Sequence, residues 1–275
     1  MYRLLCSTAF IILPVLAGAE CRYSADRNFD IPAAGLATVT FDLGSSDLIV
    51  EGVPGLAQIE VRGHACASEQ AWLDQLTVDQ NRSGDRVQIT PHNGHDLHGS
   101  WTGSTYAYVD LRVRVPTKLA AAIKSQSGDT QARNIASLDF DASSGDLEAE
   151  HIAGALSLEV SSGDVRGKDI GSVDIRGTSS GDINLRDVHG PVGVARAGSG
   201  DLTFDTVGSV NIGNVGSGDV SVTNAGNDVT VASIGSGDVR VDGVNGNFQV
   251  GSKGSGDVEH HNVRGKVSVP EDNDD

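Results

Sequence analysis

Aromatic residues are scarce in this chain, at 4% of 275 residues, and its single Met is the initiator. An α/β enzyme of this length normally builds its core on more aromatic bulk, which disfavours that class. Basic residues are few as well: 20 Lys and Arg stand against 37 Asp and Glu, a net charge of −17. Binding to nucleic acid needs a cationic face along the phosphates, and adsorption to anionic lipid needs one too. The charge therefore argues against nucleic acid as a partner and against simple adsorption on anionic lipid, while cations and basic partners remain open. After the first 20 residues no apolar run approaches the length that spans a bilayer, so the mature chain carries no transmembrane segment. S-x-x-K, H-E-x-x-H and G-x-x-x-x-G-K-[ST] are missing, which removes the commonest catalytic signatures.

The N-terminus has the parts of a secretory signal. Arg3 supplies a positive start, residues 9–16 a short apolar stretch, and Ala17-Gly18-Ala19 a small-residue cleavage site. Residues 1–19 are thus expected to be removed, leaving a mature start near Glu20. An uncleaved anchor is the competing reading. A lipoprotein is disfavoured because Glu20, not a small residue, precedes Cys21. The expected location is exported: periplasm, outer surface or medium. Cys6 leaves with the signal, so Cys21 and Cys66 remain as an even pair in an oxidising compartment. They are the disulfide candidate, with two free thiols as the alternative. Two sulfurs alone do not make a zinc site.

What the chain has in excess is Gly, 35 residues of it, together with Val, Ser and Asp. Ser-Gly-Asp recurs with Ser at 127, 144, 162, 180, 199, 217, 236 and 255, in steps of 17 to 19 residues. Three residues after the Ser stands an aliphatic: Leu147, Val165, Ile183, Leu202, Val220, Val239 and Val258, with Thr130 in the first copy. A small or turn pair and an alternating aliphatic pair, such as Val210 and Ile212, complete each repeat. Alternation at period two means short strands with one buried face. A near-constant period means a stacked array.

The expected fold is all-β: a parallel β-solenoid, or β-helix, of about eight rungs of 17–19 residues. At the strand spacing the array is about 38 Å long. A propeller needs about 40 residues per blade, so the period is too short for it. A β-sandwich or meandering antiparallel sheet is the alternative. Residues 20–120 read as an irregular β-rich cap and first rungs, with a short helix over 68–76 capped by Ser68. Residues 121–269 are the array, and 270–275 an acidic disordered tail.

The export signal, the strand ending in Val115-Pro116 ahead of the array, and the repeated Ser-Gly-Asp followed by alternating aliphatics resemble the bacterial "putative adhesin" β-repeat family of unknown function. The likeness covers roughly 36–269. It implies a cell-envelope protein with a β-solenoid-like domain and no assigned catalytic residues.

Stacked rungs would set Asp129, Asp146, Asp164, Asp182, Asp201, Asp219, Asp238 and Asp257 in one column. Carboxylates 4.8 Å apart repel by roughly 1 kcal/mol in water and by ~3–4 kcal/mol at an effective dielectric near 20. Turn N–H groups or the neighbouring Ser can offset that repulsion. The alternative is a row of Ca²⁺ sites on Asp146, Asp164, Asp182, Asp201, Asp219 and Asp238. Apart from that Ca²⁺, no cofactor is called for. The calcium β-roll repeat has period nine, half of this one. His92, His95 and His98 with Asp96 could form a transition-metal site or an incidental polar loop. His260 and His261 fall on the last, atypical rung.

The function expected is therefore non-catalytic: an exported envelope or surface protein, adhesin-like or scaffolding. Its repetitive face would dock another envelope protein, a glycan or a cell-wall polymer. A Ca²⁺-binding solenoid is the alternative. A carbohydrate-active β-helix enzyme ranks third, because identical Asp residues on short rungs provide no unique acid/base pair.

Overall fold

The computed structural model describes residues 21–94 and 105–270. The export segment at 1–19, His95, Asp96, His98 and the acidic residues 271–275 lie outside the described residues. The chain opens with β1 (Tyr23–Pro32), β2 (Thr38–Asp42), β3 (Leu48–Val53), β4 (Gln58–Ala67) and the single-turn α1 (Gln70–Leu73). It continues through β5 (Leu76–Ser83), β6 (Arg86–Asn93) and β7 (Ala107–Pro116). The array starts with β8 (Ala120–Ser125), β9 (Thr130–Arg133), β10 (Ser137–Ala142), β11 (Leu147–Val160) and β12 (Val165–Thr178).

From β8 onward every pairing is parallel, which makes this a β-solenoid and excludes the antiparallel meander. Strands that follow a Ser-Gly-Asp stack into one face. Strands that precede it stack into the other, and β11 and β12 run through the corner between them. The register aligns like with like: Leu147 pairs Val165, Val165 pairs Ile183, and Ile183 pairs Leu202. One column of aliphatics is thereby buried beneath each face. Ile152, Ile170 and Val188 close the same core at the far corner. β-Branched side chains suit these columns because they pack on the pleat.

The first rung in sequence is not the first in space. β2 and β3 form a rung whose corner is Gly44-Ser45-Ser46-Asp47. The chain then leaves it through β4, α1 and β5. β6 returns to one edge of β2 and β7 to one edge of β3, all parallel. β8 and β9 are laid on the opposite edges. Rung 38–53 is thus clamped between a rung made of β6 and β7 and the first rung of the array. Antiparallel strands cover the outer side: β4 on β7, β1 on β4, and β5 on β6. This closes an end that would otherwise expose unpaired strand edges.

The helix is shorter than the 68–76 expected. Its N-cap is Glu69, which makes no side-chain cap. Ser68 is buried, and its Oγ accepts the Tyr106 N–H at 3.2 Å, tying β4 to β7. Leu76 belongs to β5. At the C-terminal end the last rung is polar where inner rungs are apolar. His260 stands in register with Val241, and Lys253 with Ile234, its Nζ donating to Gly256 O at 3.3 Å. These are the features of a capping repeat.

Candidate functional site

Each corner begins with a strand residue turned inward: Ser125, Ala142, Val160, Thr178, Ala197, Val215 and Ile234. An exposed Ser, a buried Gly and the Asp follow. The Asp backbone joins both neighbours. The N–H of Leu147 donates to Asp164 O, that of Val165 to Asp182 O, and that of Ile183 to Asp201 O, at 2.8–2.9 Å. Its side chain does the same in the other direction. Asp129 Oδ1 accepts the Asp146 N–H at 3.1 Å, Asp146 Oδ1 the Asp164 N–H at 2.8 Å, and Asp164 Oδ1 the Asp182 N–H at 3.1 Å. The series continues through Asp182, Asp201, Asp219 and Asp238 to the N–H of Asp257, at 2.8–2.9 Å. The column of like charges is therefore a hydrogen-bonded ladder. Each carboxylate meets a backbone donor, and such charge-assisted bonds are about twice as strong as neutral ones. No Ser hydroxyl of a triplet joins it among the described residues; the offset comes from the backbone.

The ladder is longer than the triplets indicate. Asp47 Oδ1 accepts the Asp129 N–H at 2.9 Å, although its corner carries Ser46 in place of Gly. Beneath it, Asp110 lies in register with Asp47 and is hydrogen-bonded by the Asp47 backbone. Burial, followed by the Asp47 charge, raises the Asp110 carboxyl above the usual carboxylate range. A group with a raised folded-state pKa contributes stability that is complete below its unfolded pKa. That stability is lost as pH rises through the folded value. Asp110→Asn keeps an acceptor and drops the charge. It should raise the melting temperature at about pH 7, and the gain should shrink toward about pH 3. Thermal unfolding of both proteins across that range checks it.

Asp238 shows the opposite shift. Its carboxyl is held below the usual range, first by the Asp257 backbone N–H and then by Arg240. Arg240 Nη2 sits 2.9 Å from Asp238 Oδ2, and Arg240 Nε 3.2 Å from Glu259. Mid-ladder, Asp182→Ala leaves the Asp201 N–H without its acceptor and should cost about 1–3 kcal/mol. Asp182→Asn retains Oδ1, removes repulsion, and should lie within about 0.5 kcal/mol of the parent. Chemical denaturation of the two variants separates hydrogen bonding from charge.

A second column went unread in the sequence. Seven residues after each triplet Ser, the backbone turns through positive φ: Asn134, His151, Asp169, Asp187, Thr206, Asn224, Gly243 and Asn262, at 54–74°. Asn, Asp and Gly tolerate this region best, and their recurrence at one repeat position was the available signal. On this ridge Asp169 meets His189 Nε2 at 2.6 Å and His151 Nε2 at 3.7 Å. Its carboxyl is lowered mainly by the His189 hydrogen bond.

Of the His cluster at 92–98 only His92 is described, and it contacts Asp79 at 3.1 Å. Cys21 and Cys66 are joined as a disulfide, Cα atoms 5.7 Å apart, linking β4 to the residues before β1. No group of three or more His, Cys, Asp or Glu is poised for a metal among the described residues. The string Gly177-Thr178-Ser179-Ser180-Gly181 fits G-x-S-x-G. A nucleophile elbow needs a strand–turn–helix setting, whereas here the next element is strand Ile183–Val188, and Ser179 has no hydrogen-bonded base among the described residues.

No curated protein matches the chain significantly. Among solved structures, a "putative lipid binding protein" from Parabacteroides distasonis shares 18% identity, with 87% of this chain and 97% of that one covered, at a TM-score of 0.52. A "putative adhesin" from the same species shares 14% over 86% and 97% of the two chains, TM-score 0.48. One from Bacteroides fragilis shares 10% over 90% and 98%, TM-score 0.43. The first of these supports the fold. The Toastrack DUF4097 family model matches residues 57–211, from β4 through the middle of the array. The chain belongs to the Toastrack DUF4097 family, a bacterial family of unknown function.

Proposed function

We propose that this is a non-catalytic, exported cell-envelope or surface protein, an adhesin-like or scaffolding module that presents repetitive β faces to a partner. The observation that carries this is the ladder. The acidic residues that recur on every rung are bound to the next rung's backbone, so the repeat is devoted to stacking. Rungs of 17–19 residues leave no long loops in the array for a catalytic apparatus. What the chain offers a partner is the outward side of its two sheets. The partner class is an envelope protein, a glycan or a cell-wall polymer, and the charge of −17 disfavours polyanions.

The test is fractionation of the full chain expressed with its N-terminal segment, followed by sedimentation with purified cell-wall sacculi and envelope extract. Recovery in the envelope fraction, co-sedimentation, and no release of reducing sugar support the proposal. A cytosolic protein, or turnover of the polymer, refutes it. A Ca²⁺-dependent module is the second reading. It is favoured by the Oδ2 atoms of Asp146, Asp182 and Asp201, which have no partner among the described residues.

A further inference from the structure

The outward face of the sheet that precedes the triplets is uneven, and its unevenness has a structural cause. Up to β11 that face has one residue fewer per rung. Leu158 pairs Ile175, but Glu159 pairs Gly177, so Arg176 is an inserted bulge residue. Later rungs keep the insertion and fill it with small residues: Ala195, Gly213, Ala232 and Gly251. Arg176 is the one large side chain in that column. Bulges re-aim side chains. Here the guanidinium turns back over two rungs, with Nη2 2.9 Å from Asp139 Oδ1 and Nε 3.4 Å from Glu159 Oε2.

In front of it lies a groove of about 410 Å³, floored by Ala122 and walled by Lys124, Asp139, Asp141, Glu159 and Arg176. Ala122 stands between Thr40 and Asp139 in register, and its short side chain makes the depression. On the bulge rung this outward row carries the exposed Asp174; after it the row is uncharged in a strongly acidic chain: Gly193, Asn211, Thr230 and Gln249, in register on successive rungs. No aromatic ring is exposed in this row.

We infer that the groove and the neutral row form one track for an extended, uncharged polysaccharide, anchored at Arg176 and its carboxylates. The inference rests on the binding-face reading above and names its ligand class. Three carboxylates and two cations alternate around the groove with nearly cancelling charge. That combination of acceptors and donors suits hydroxyl groups, which donate and accept at once. A polyanion is repelled by the excess of carboxylates. A cationic peptide would have to displace Arg176 from Asp139 and Glu159. An apolar partner finds little to cover, since the walls are charged. Along the row, amide and hydroxyl side chains repeat at the rung spacing of about 4.8 Å, comparable with one sugar unit of an extended chain.

The test uses isothermal titration of the full mature protein with neutral hexasaccharides of β-linked glucose, mannose and N-acetylglucosamine, one at a time. At least one should bind. Arg176→Ala and the groove-filling Ala122→Trp should each weaken it roughly tenfold or more. Ser221→Trp, on the opposite face, should not. Melting temperatures near the parent's establish that the variants are folded. Where Ala122→Trp fails to fold, Asp139→Asn replaces it. Absence of binding by every hexasaccharide, or binding untouched by the groove variants, overturns the inference. Envelope co-sedimentation that survives Arg176→Ala refutes this track while leaving the surface-protein reading in place. Loss of all envelope binding by the parent refutes both.

Discussion

Gly181→Ala should be among the most destabilising single substitutions in the array, at about 3 kcal/mol or more. A methyl at Gly181 would be driven into the backbone carbonyl of Gly163 on the rung below. The obstacle is main chain, so no rotamer change relieves it. Gly145, Gly163, Gly200 and Gly218 meet the same obstacle, each against the corner beneath. The triplet Gly is thus required by the closeness of stacked corners rather than by an unusual φ. Each rung contacts only its neighbours, so a fault at Gly181 should also divide the unfolding transition into two steps. Gly193→Ala is the control. A methyl there meets Asp174 Oδ1 at 3.7 Å, an ordinary contact, and the melting temperature should hardly move. A mild Gly181→Ala would mean that the corners can separate without loss.

Phe204→Ala should cost about 3–5 kcal/mol, a fall in melting temperature of roughly 10 °C. Phe204 is fully buried between Leu185 and Val222 in its column. Strands bonded on both edges cannot close the cavity, so the lost contacts are not recovered. Phe248 is also fully buried, but its outer register partner is Val267 on the two-residue terminal strand, and the nearest ring is that of the exposed His260 on the last rung, centroids 6.0 Å apart. That end can relax, and Phe248→Ala should cost less. Guanidinium unfolding of the two variants ranks them. The reverse order would contradict the polar end rung as a soft cap.

Much of the array was readable because one triplet marks every rung, and the aliphatic positions counted from it coincide with the buried columns. The N-terminal region was less readable for a physical reason. Which edge β6 and β7 would occupy depends on pairing with β2 and β3, and nothing local in 86–116 encodes that choice. Asp47 escaped notice because its corner has Ser46 where the others have Gly. Ser46 fits because the side on which the other corners meet a lower corner meets the Asn93 side chain here: Asn93 Nδ2 donates to Ser46 Oγ at 3.0 Å. Asn93 Oδ1 accepts the Val109 N–H at 3.0 Å, replacing the missing rung contact. Arg176 carried no sequence signal at all. A single inserted residue is hidden when repeat length already varies between 17 and 19.

The direction of the carboxylate bonds was also invisible. A Ser-Gly-Asp repeat does not say in its sequence whether Oδ1 meets a backbone N–H of the next rung or faces solvent. From Asp47 to Asp257 it meets the N–H, at every step.

Thermal unfolding of the mature protein by circular dichroism, first with EGTA and then with millimolar Ca²⁺, tests this most directly. The ladder account predicts the same melting temperature in both. A large rise with Ca²⁺, abolished by Asp182→Asn, would contradict it and make the column a metal site.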